Sequence, residues 1–422
     1  MSKLSRRDWM MSAMAAASCL PFEEAFAASL RSHRHGRGQA HRRHHGHWEK
    51  AGIAPDSLNG IAMSRGLRFG SSIGLDSTKE GLALLPPEVL ARPRRAPSFS
   101  DADVRRLMVE QCGIVVHENE LKWYVVRPDS KTYDFRRADT IVHWAGHNGL
   151  AVRGHNLLWN AMRWTPRWVG KYDFGSRPAI AAEKMLRDHI SKVCRRYGTR
   201  IFSYDVINET LDPKTGELEN TPFTKYLGWD LIDICFHAAK EAAPHAELVY
   251  NDFPNWNPEG THRASILKLL EYAKKKNLPV DALGVQAHIG FPNAGGGPGA
   301  VRDETAWRKF LDDVTSMGYG LLVTEFDIND KTAPTDIAER DRAVAELGKT
   351  YFDIMVSYPQ LRYVMAWGMV DKYSWLQEFV PRADGLPQRP APYDDAFKPK
   401  ALRQAMADAF RGAPARPAMK NG

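Results

Sequence analysis

Eight short runs of apolar and β-branched residues recur along the chain, and stretches with helical spacing separate them. The runs are Leu67–Gly74, Gly113–His117, Leu150–His155, Ile201–Asn208, Glu247–Asn251, Ala282–His288, Gly320–Glu325 and Tyr363–Trp367. They are apolar at nearly every position rather than at every second one, which predicts strands buried on both faces. Between them, Ala179–Tyr197, Trp229–Ala243, His262–Lys276, Thr305–Ser316 and Thr335–Val356 predict helices, some stopped at once by Gly or Pro. Strand–helix alternation repeated eight times predicts an α/β fold, a (β/α)8 TIM barrel with insertions. The rival, a doubly wound open sheet, calls for a Gly-rich phosphate loop after its first strand, and none follows Leu67–Gly74.

A barrel of this kind places its chemistry at the carboxyl ends of its strands. Glu118 and Asn119 follow the second run, His155 ends the third, and Asn208 and Glu209 end the fourth. Asn251 and Asp252 stand at the fifth, Gln286 and His288 at the sixth, Glu325 at the seventh and Trp367 at the eighth. Glu209 and Glu325 carry the most information. A glutamate after a strand is often only a solvated loop residue, but two on one rim supply what glycosidic bond cleavage needs, a proton donor and a nucleophile or base. Metal-dependent hydrolysis would need three or four ligands at compatible spacing, which His155 and His288 alone do not provide. The expected site therefore contains no metal and no cofactor.

Charge and composition narrow the rest. The net charge of +8 would suit a nucleic-acid partner, but residues 1–50 hold nine Lys/Arg against four Asp/Glu, a net +5, leaving only +3 for the remainder. No nucleic-acid partner is expected. Ser5-Arg-Arg-Asp-Trp-Met10, the Met/Ala-rich stretch to Leu20 and Ala25-Phe-Ala27 resemble a twin-arginine export signal over residues 1–27. This predicts an exported protein, periplasmic or secreted, with an apolar stretch too short to span a membrane; the rival is a lipoprotein signal with Cys19 as the lipid-bearing residue. Residues 28–58 form a spacer with six of the fifteen histidines and no apolar period. That composition predicts disorder, with metal capture as the less favoured reading. The barrel domain is assigned to 59–411 and a flexible tail to 412–422. Cys112, Cys194 and Cys235 sit among apolar residues, which predicts buried thiols rather than a disulfide framework.

Seven segments, in order, resemble one known family. They are Glu118-Asn-Glu-Leu-Lys-Trp123, Arg153-Gly-His-Asn-Leu-Leu-Trp159, Asp205-Val-Ile-Asn-Glu209, Tyr250-Asn-Asp252, Gly284-Val-Gln-Ala-His-Ile289, Thr324-Glu-Phe-Asp-Ile328 and Asp371-Lys-Tyr-Ser-Trp375. Together they resemble glycoside hydrolase family 10, the endo-β-1,4-xylanases, from about Leu67 to about Phe410. The resemblance implies hydrolysis with retention of configuration, Glu209 as acid/base and Glu325 as nucleophile. It implies that Asn208 binds the sugar 2-hydroxyl, that His288 hydrogen-bonds the nucleophile and that Asp327 orients His288. Glu118, Asn119, Lys122, His155 and Gln286 match a polar clamp for sugars on the non-reducing side, Asn251 a further substrate contact, and Trp159, Trp367 and Trp375 the aromatic lining. The implied partner is xylan or a xylo-oligosaccharide, cut by a monomer.

Asn160 and Ala161 after Trp159, Phe253-Pro-Asn-Trp256 after Asn-Asp, and Leu376 after Trp375 depart from the family pattern, as does the glycine-rich stretch from Phe291. These departures bear on chain-length preference more than on the reaction. Two other readings remain at this stage: a retaining β-glycosidase for short xylo-oligosaccharides or another β-glycan, and a non-catalytic carbohydrate-binding barrel. The second would predict loss of Glu209 or Glu325, and both are present.

Overall fold

A computed structural model describes residues 53–257, 261–292 and 302–417. The expected export signal and nearly all of the His/Arg-rich spacer lie outside these residues, as does most of the glycine-rich stretch. Ten strand segments follow one another: β1 (Arg68–Ile73), β2 (Ile114–His117), β3 (Ala151–Gly154), β4 (Leu158–Trp159), β5 (Ser203–Asn208), β6 (Glu247–Asp252), β7 (Ala282–Val285), β8 (His288–Gly290), β9 (Gly320–Asn329) and β10 (Leu361–Ala366). They make eight staves, because β3 and β4 share the third and β7 and β8 share the sixth. Every pairing between them is parallel, and β10 bonds both β9 and β1, so the sheet closes into a barrel. Closure leaves no unpaired sheet edge.

Eight longer helices alternate with the staves among the described residues: α1 (Ala102–Gln111), α2 (Arg136–His147), α3 (Pro178–Tyr197), α4 (Asp230–Ala242), α5 (His262–Lys275), α6 (Glu304–Ser316), α7 (Ile337–Val356) and α8 (Ala401–Gly412). Their starts have local causes. Asp101, Asp303 and Asp336 cap α1, α6 and α7 by accepting a backbone N–H of the first turn, and α3 opens on a proline.

The near-continuous apolar runs are explained by two separate cores. Ile114, Val116, Ala151, Val249, Ala282, Leu322, Tyr363 and Met365 point into the barrel and pack together. Their neighbours in the chain, such as Val115, Val152, Leu248, Leu283, Leu321 and Val364, point outward into the helical layer. Strand side chains alternate as they must, but both faces are apolar, so no alternation shows in the sequence.

Four expectations change at the boundaries. The third strand does not stop at His155 but resumes as β4, after a cis peptide between His155 and Asn156. The seventh runs four residues past Glu325, to Asn329. Ser57 and Leu58, assigned to the spacer, are buried, and Ser57 caps the short helix Leu58–Met63. The tail expected from 412 onward is tied down as far as Arg416: its backbone N–H donates to the Arg65 carbonyl at 3.2 Å, and its guanidinium to the Tyr358 carbonyl at 2.8 Å.

Candidate active site

Polar layers rise through the barrel from the amino ends of its strands to the mouth. At the bottom, Glu247 accepts hydrogen bonds from Ser203 at 3.0 Å and Tyr363 at 2.7 Å. Above it Arg153 and Asp205, both almost fully buried, form an ion pair, and Asp205 also holds His155 Nδ1 at 2.9 Å. Asp205 thereby fixes the imidazole plane. A buried charge without such partners would cost several kcal/mol.

The next layer carries the two glutamates, and each is aimed by a break in strand regularity. In β5 the register against β6 slips by one residue between Asp205 and Ile207. Val206 and Ile207 both enter the outer core, and the phase reverses so that Asn208 points inward. Glu209 follows with φ at 50°, in the left-handed region. In β9 the register against β10 slips between Val323 and Phe326. Without that extra residue Glu325 would share the outward face of Val323; with it, Phe326 and Ile328 pack outward and Glu325 and Asp327 face the mouth. Bulges that re-aim a side chain beside a site are a known use of the device.

One chain of hydrogen bonds joins the two carboxylates. Glu209 accepts from Trp159 Nε1 at 2.8 Å and from Gln286 Nε2 at 2.7 Å. Gln286 Nε2 is also 3.4 Å from Asn208 Oδ1, which accepts from Asn251 Nδ2 at 2.8 Å. The same Asn251 Nδ2 donates to Glu325 Oε1 at 2.8 Å. On its other oxygen Glu325 meets His288 Nε2 at 3.3 Å, and His288 Nδ1 is held by Asp327 at 2.9 Å. Trp375 Nε1 donates to the second Asp327 oxygen at 2.7 Å.

The surroundings drive the glutamates to opposite ionisation states. Burial raises the Glu209 carboxyl, the Gln286 bond works against it, and the charges of Asp252 and Glu325 raise it further, to about 7. Burial also opposes charge on Glu325, but His155, His288 and Lys122 together outweigh it and hold the group well below the carboxylate range. Asp327 and Glu325 overcome the burial of His288 and keep its imidazole protonated far above the usual value. One carboxyl stays protonated near neutrality while the other stays charged.

The sequence-predicted residues converge, with adjustments. Lys122 donates to Asn119 Oδ1 at 3.1 Å and lies 4.6 Å over the Trp159 ring. Trp367 packs edge-on to His155 at 5.4 Å and Trp375 edge-on to His288 at 5.3 Å. The Gln286 amide nitrogen donates to Glu209, and among the described residues no hydrogen bond joins it to Glu118, Asn119 or Lys122. Asn251 is fully buried, and its amide nitrogen donates to both Asn208 and Glu325. Gly284 makes room for it, since a Cβ there would fall 2.3 Å from Asn251 Oδ1.

Two of the departures are structural. Asn160 is buried, donating to Thr210 at 2.7 Å and Thr224 at 3.0 Å and accepting from Thr221 at 2.8 Å. It brackets β4 against the loop after β5. Leu376 is buried as the first residue of the short helix Leu376–Phe379.

The sequence reading missed Arg95. It forms an ion pair with Glu118 and also donates to the Tyr373 carbonyl, while the Arg95 backbone N–H and the Arg94 guanidinium hold Glu378 at 2.6 and 2.8 Å. The only signal in the sequence was the run Arg92-Pro-Arg-Arg95, which by itself reads as a solvated basic patch.

Comparison with known proteins identifies the family. Residues 93–409 match the profile of Glycosyl hydrolase family 10. The chain is 33% identical over 308 residues to a Beta-1,4-xylanase of Dictyoglomus thermophilum, covering 70% of this chain and 81% of that protein. It is 33% identical over 298 residues to Endo-1,4-beta-xylanase B of Paenibacillus barcinonensis, covering 68% and 85%. Among solved structures, an endo-1,4-beta-xylanase from Caldicellulosiruptor owensensis superposes with a TM-score of 0.66 at 26% identity, covering 83% of this chain and 99% of that one. With well over half of its length matched and a closed parallel barrel carrying the site, the chain belongs to glycosyl hydrolase family 10.

Proposed function

We propose that this protein is an endo-1,4-β-xylanase that hydrolyses internal xylosidic bonds with retention. The observation that carries the reading is the pair of glutamates held by one hydrogen-bond chain and driven to opposite ionisation states. In this reading a charged Glu325 oxygen attacks the anomeric carbon, and the departing glycosidic oxygen takes the proton of Glu209. Glu209, now a carboxylate, removes a proton from water; the water oxygen bonds the anomeric carbon and Glu325 is released. In the same reading Asn208 meets the sugar 2-hydroxyl, and His288 with Asp327 keeps Glu325 ionised and oriented. Glu118, Asn119, Lys122 and His155 present acceptors and donors suited to sugar hydroxyls, and Trp159, Trp367 and Trp375 present ring faces to pyranose C–H groups. This chemistry needs no metal or cofactor.

Substrate and export rest on different grounds. Relatives named as xylanases support xylan as the substrate. Export by the twin-arginine route rests on the Ser5–Ala27 pattern alone. Among the described residues no helix is long and apolar enough to cross a membrane.

The test uses an aryl xylobioside with a good leaving group. Glu325→Ala is expected to form no glycosyl-enzyme, while Glu209→Ala forms it and then hydrolyses it slowly, giving a burst. Azide is expected to rescue Glu209→Ala to a β-glycosyl azide and Glu325→Ala to the α-product. The opposite stereochemical pattern would reverse the roles assigned here. Product profiles on linear xylan and xylotriose then separate endo-action on polymer from preference for short oligosaccharides.

A further inference from the structure

Next to Glu209, the end of β6 carries a buried carboxylate that the bond-breaking steps do not use. Asp252 is fully buried; one of its oxygens accepts the Tyr250 hydroxyl and the other the Phe253 backbone N–H at 2.8 Å. Two backbone bonds fix it against the proton donor. The Gln286 N–H donates to the Asp252 carbonyl at 2.9 Å, and the Glu209 N–H to the Asn251 carbonyl at 3.0 Å. Gln286 Nε2 then reaches Glu209 Oε1 at 2.7 Å.

The counter-charge for Asp252 comes from α5. His262 is the first residue of that helix, is buried, and places Nε2 3.1 Å from Asp252 Oδ1. The two meet as an ion pair rather than through an aligned hydrogen bond, and the Phe253 ring leans on the imidazole at 4.6 Å. A helix N-terminus is a poor place for a cation, because its free N–H groups already carry positive charge. The carboxylates around His262 supply the compensation. Besides Asp252 these are Glu209 at the end of β5 and Asp212 in the loop that follows. In the same loop Lys214 faces Asp212, and Glu219 faces both Asp212 and Asp252. On α5 itself Arg263 donates away, to the Asn255 carbonyl at 3.3 Å. Burial opposes charge on His262, but Asp252, then Glu209 and Asp212, outweigh it and raise the imidazole above its ordinary value. Among the described residues no lysine or arginine pairs with Asp252.

We propose that His262 is a positioning residue for the proton transfer: as the counter-ion of Asp252 it sets how much negative charge stands beside Glu209. A carboxylate beside Glu209 favours its protonated form, and a cation on that carboxylate weakens the effect. With His262 protonated, the pair it forms with Asp252 is neutral as a whole. Once His262 gives up its proton, the full charge of Asp252 faces Glu209. Loss of the His262 proton as pH rises therefore strengthens the hold of Glu209 on its own, and the two groups titrate as a coupled pair. The proposal rests on Glu209 as proton donor in the xylanase reading.

The first test is the pH profile of kcat/KM on a xylo-oligosaccharide. His262→Gln removes the cation, so the basic limb is expected to rise by about 0.5–1 pH unit, less than the shift of about 1–3 units from a charge in direct contact. His262→Lys carries a cation at every working pH and is expected to return the limb to its native position or below. A merely structural role would lower kcat/KM at every pH alike and leave the limb in place.

The second test needs no change at His262 and no turnover. Coupling between two binding events is reciprocal, so Glu209→Gln must lower the titration midpoint of the His262 imidazole, read from its Cε1 resonance by NMR, by as much as the limb moves. A midpoint that stays put overturns the proposal. A midpoint that falls while the limb of His262→Gln does not move supports the charge coupling and sinks Glu209 as the donor, so the two readings fail separately.

Discussion

At the scale of single residues, the two glutamates make the pH dependence a signed prediction. Glu209 works as a proton donor, so kcat/KM should fall as pH rises through about 7, where its carboxyl ionises. Trp159 Nε1 donates to that carboxyl and favours its charged form. Trp159→Phe should therefore move the basic limb of the kcat/KM profile to higher pH, whatever it costs in stacking. His288→Asn removes one of the groups that keep Glu325 ionised, so the acidic limb should climb toward the ordinary glutamate value of about 4.3. An acidic limb that stays put would show that His155 and Lys122 suffice.

Stability carries the opposite message at the same position. The folded-state carboxyl of Glu209 is raised above its unfolded value, so its contribution is fully present below about 4.3 and is lost as pH rises through about 7. Glu209→Gln keeps the shape without the charge. Its melting temperature should therefore gain on the native protein between about pH 5 and about pH 8, while turnover of unactivated substrates collapses. A gap that does not change with pH would remove burial as the cause of the raised carboxyl.

At the scale of elements, the irregular strands do the aiming. β5 and β9 each carry one extra residue: the β5 slip turns Asn208 to the mouth, with Glu209 aimed by its left-handed φ, and the β9 slip turns Glu325 from the helical layer to the mouth. β7 contributes in a different way, through the absence of a side chain at Gly284. Gly284→Ala would press a methyl group against Asn251 and disturb the contact that links Asn208 to Glu325. Overpacking of this kind costs about 1–3 kcal/mol. The denaturation midpoint should fall, and kcat should fall with it; a loss of stability with kcat intact would show that Asn251 keeps its place. The loop after β1 acts as an element too, since Arg94 and Arg95 clamp it to Glu378 and to Glu118.

At the scale of the whole molecule, the barrel divides its labour between its two ends. Toward the mouth the barrel holds buried charge in pairs, Arg153 with Asp205 and His288 with Asp327, while Glu247 pairs with Arg362 at the amino ends of β6 and β10. The opposite end is closed by the chain itself, where Arg416 bonds Arg65 just ahead of β1 and Tyr358 just ahead of β10. Arg416→Ala keeps the backbone bond to Arg65 but removes the guanidinium bonds to the Val356 and Tyr358 carbonyls, and should lower the unfolding free energy by about 1–2 kcal/mol. Being at the end away from the glutamates, it should leave kcat/KM unchanged. A fall in kcat/KM would mean that the two ends are coupled.

Much of this was legible in the chain. Eight apolar runs separated by helical stretches determine a parallel, helix-covered sheet, because strands buried on both faces have no other soluble packing. The polar residues at the run ends determine which side of the barrel carries chemistry, and Glu209 and Glu325 stand out there by residue type. Their aim was not legible. An ideal strand reverses side with every residue, and only pairing with β6 and β10 shows where β5 and β9 slip by one. The partners were not legible either. Arg95 meets Glu118, and Asn251 meets Glu325, across gaps in sequence that only barrel closure brings together. Ionisation was implied only through the family resemblance, since two glutamates of identical chemistry differ only in what surrounds them. Residue types and their periodicity determined the barrel and its candidate carboxylates; tertiary packing decided which one holds its proton, because burial and neighbouring charge are properties of the assembled mouth.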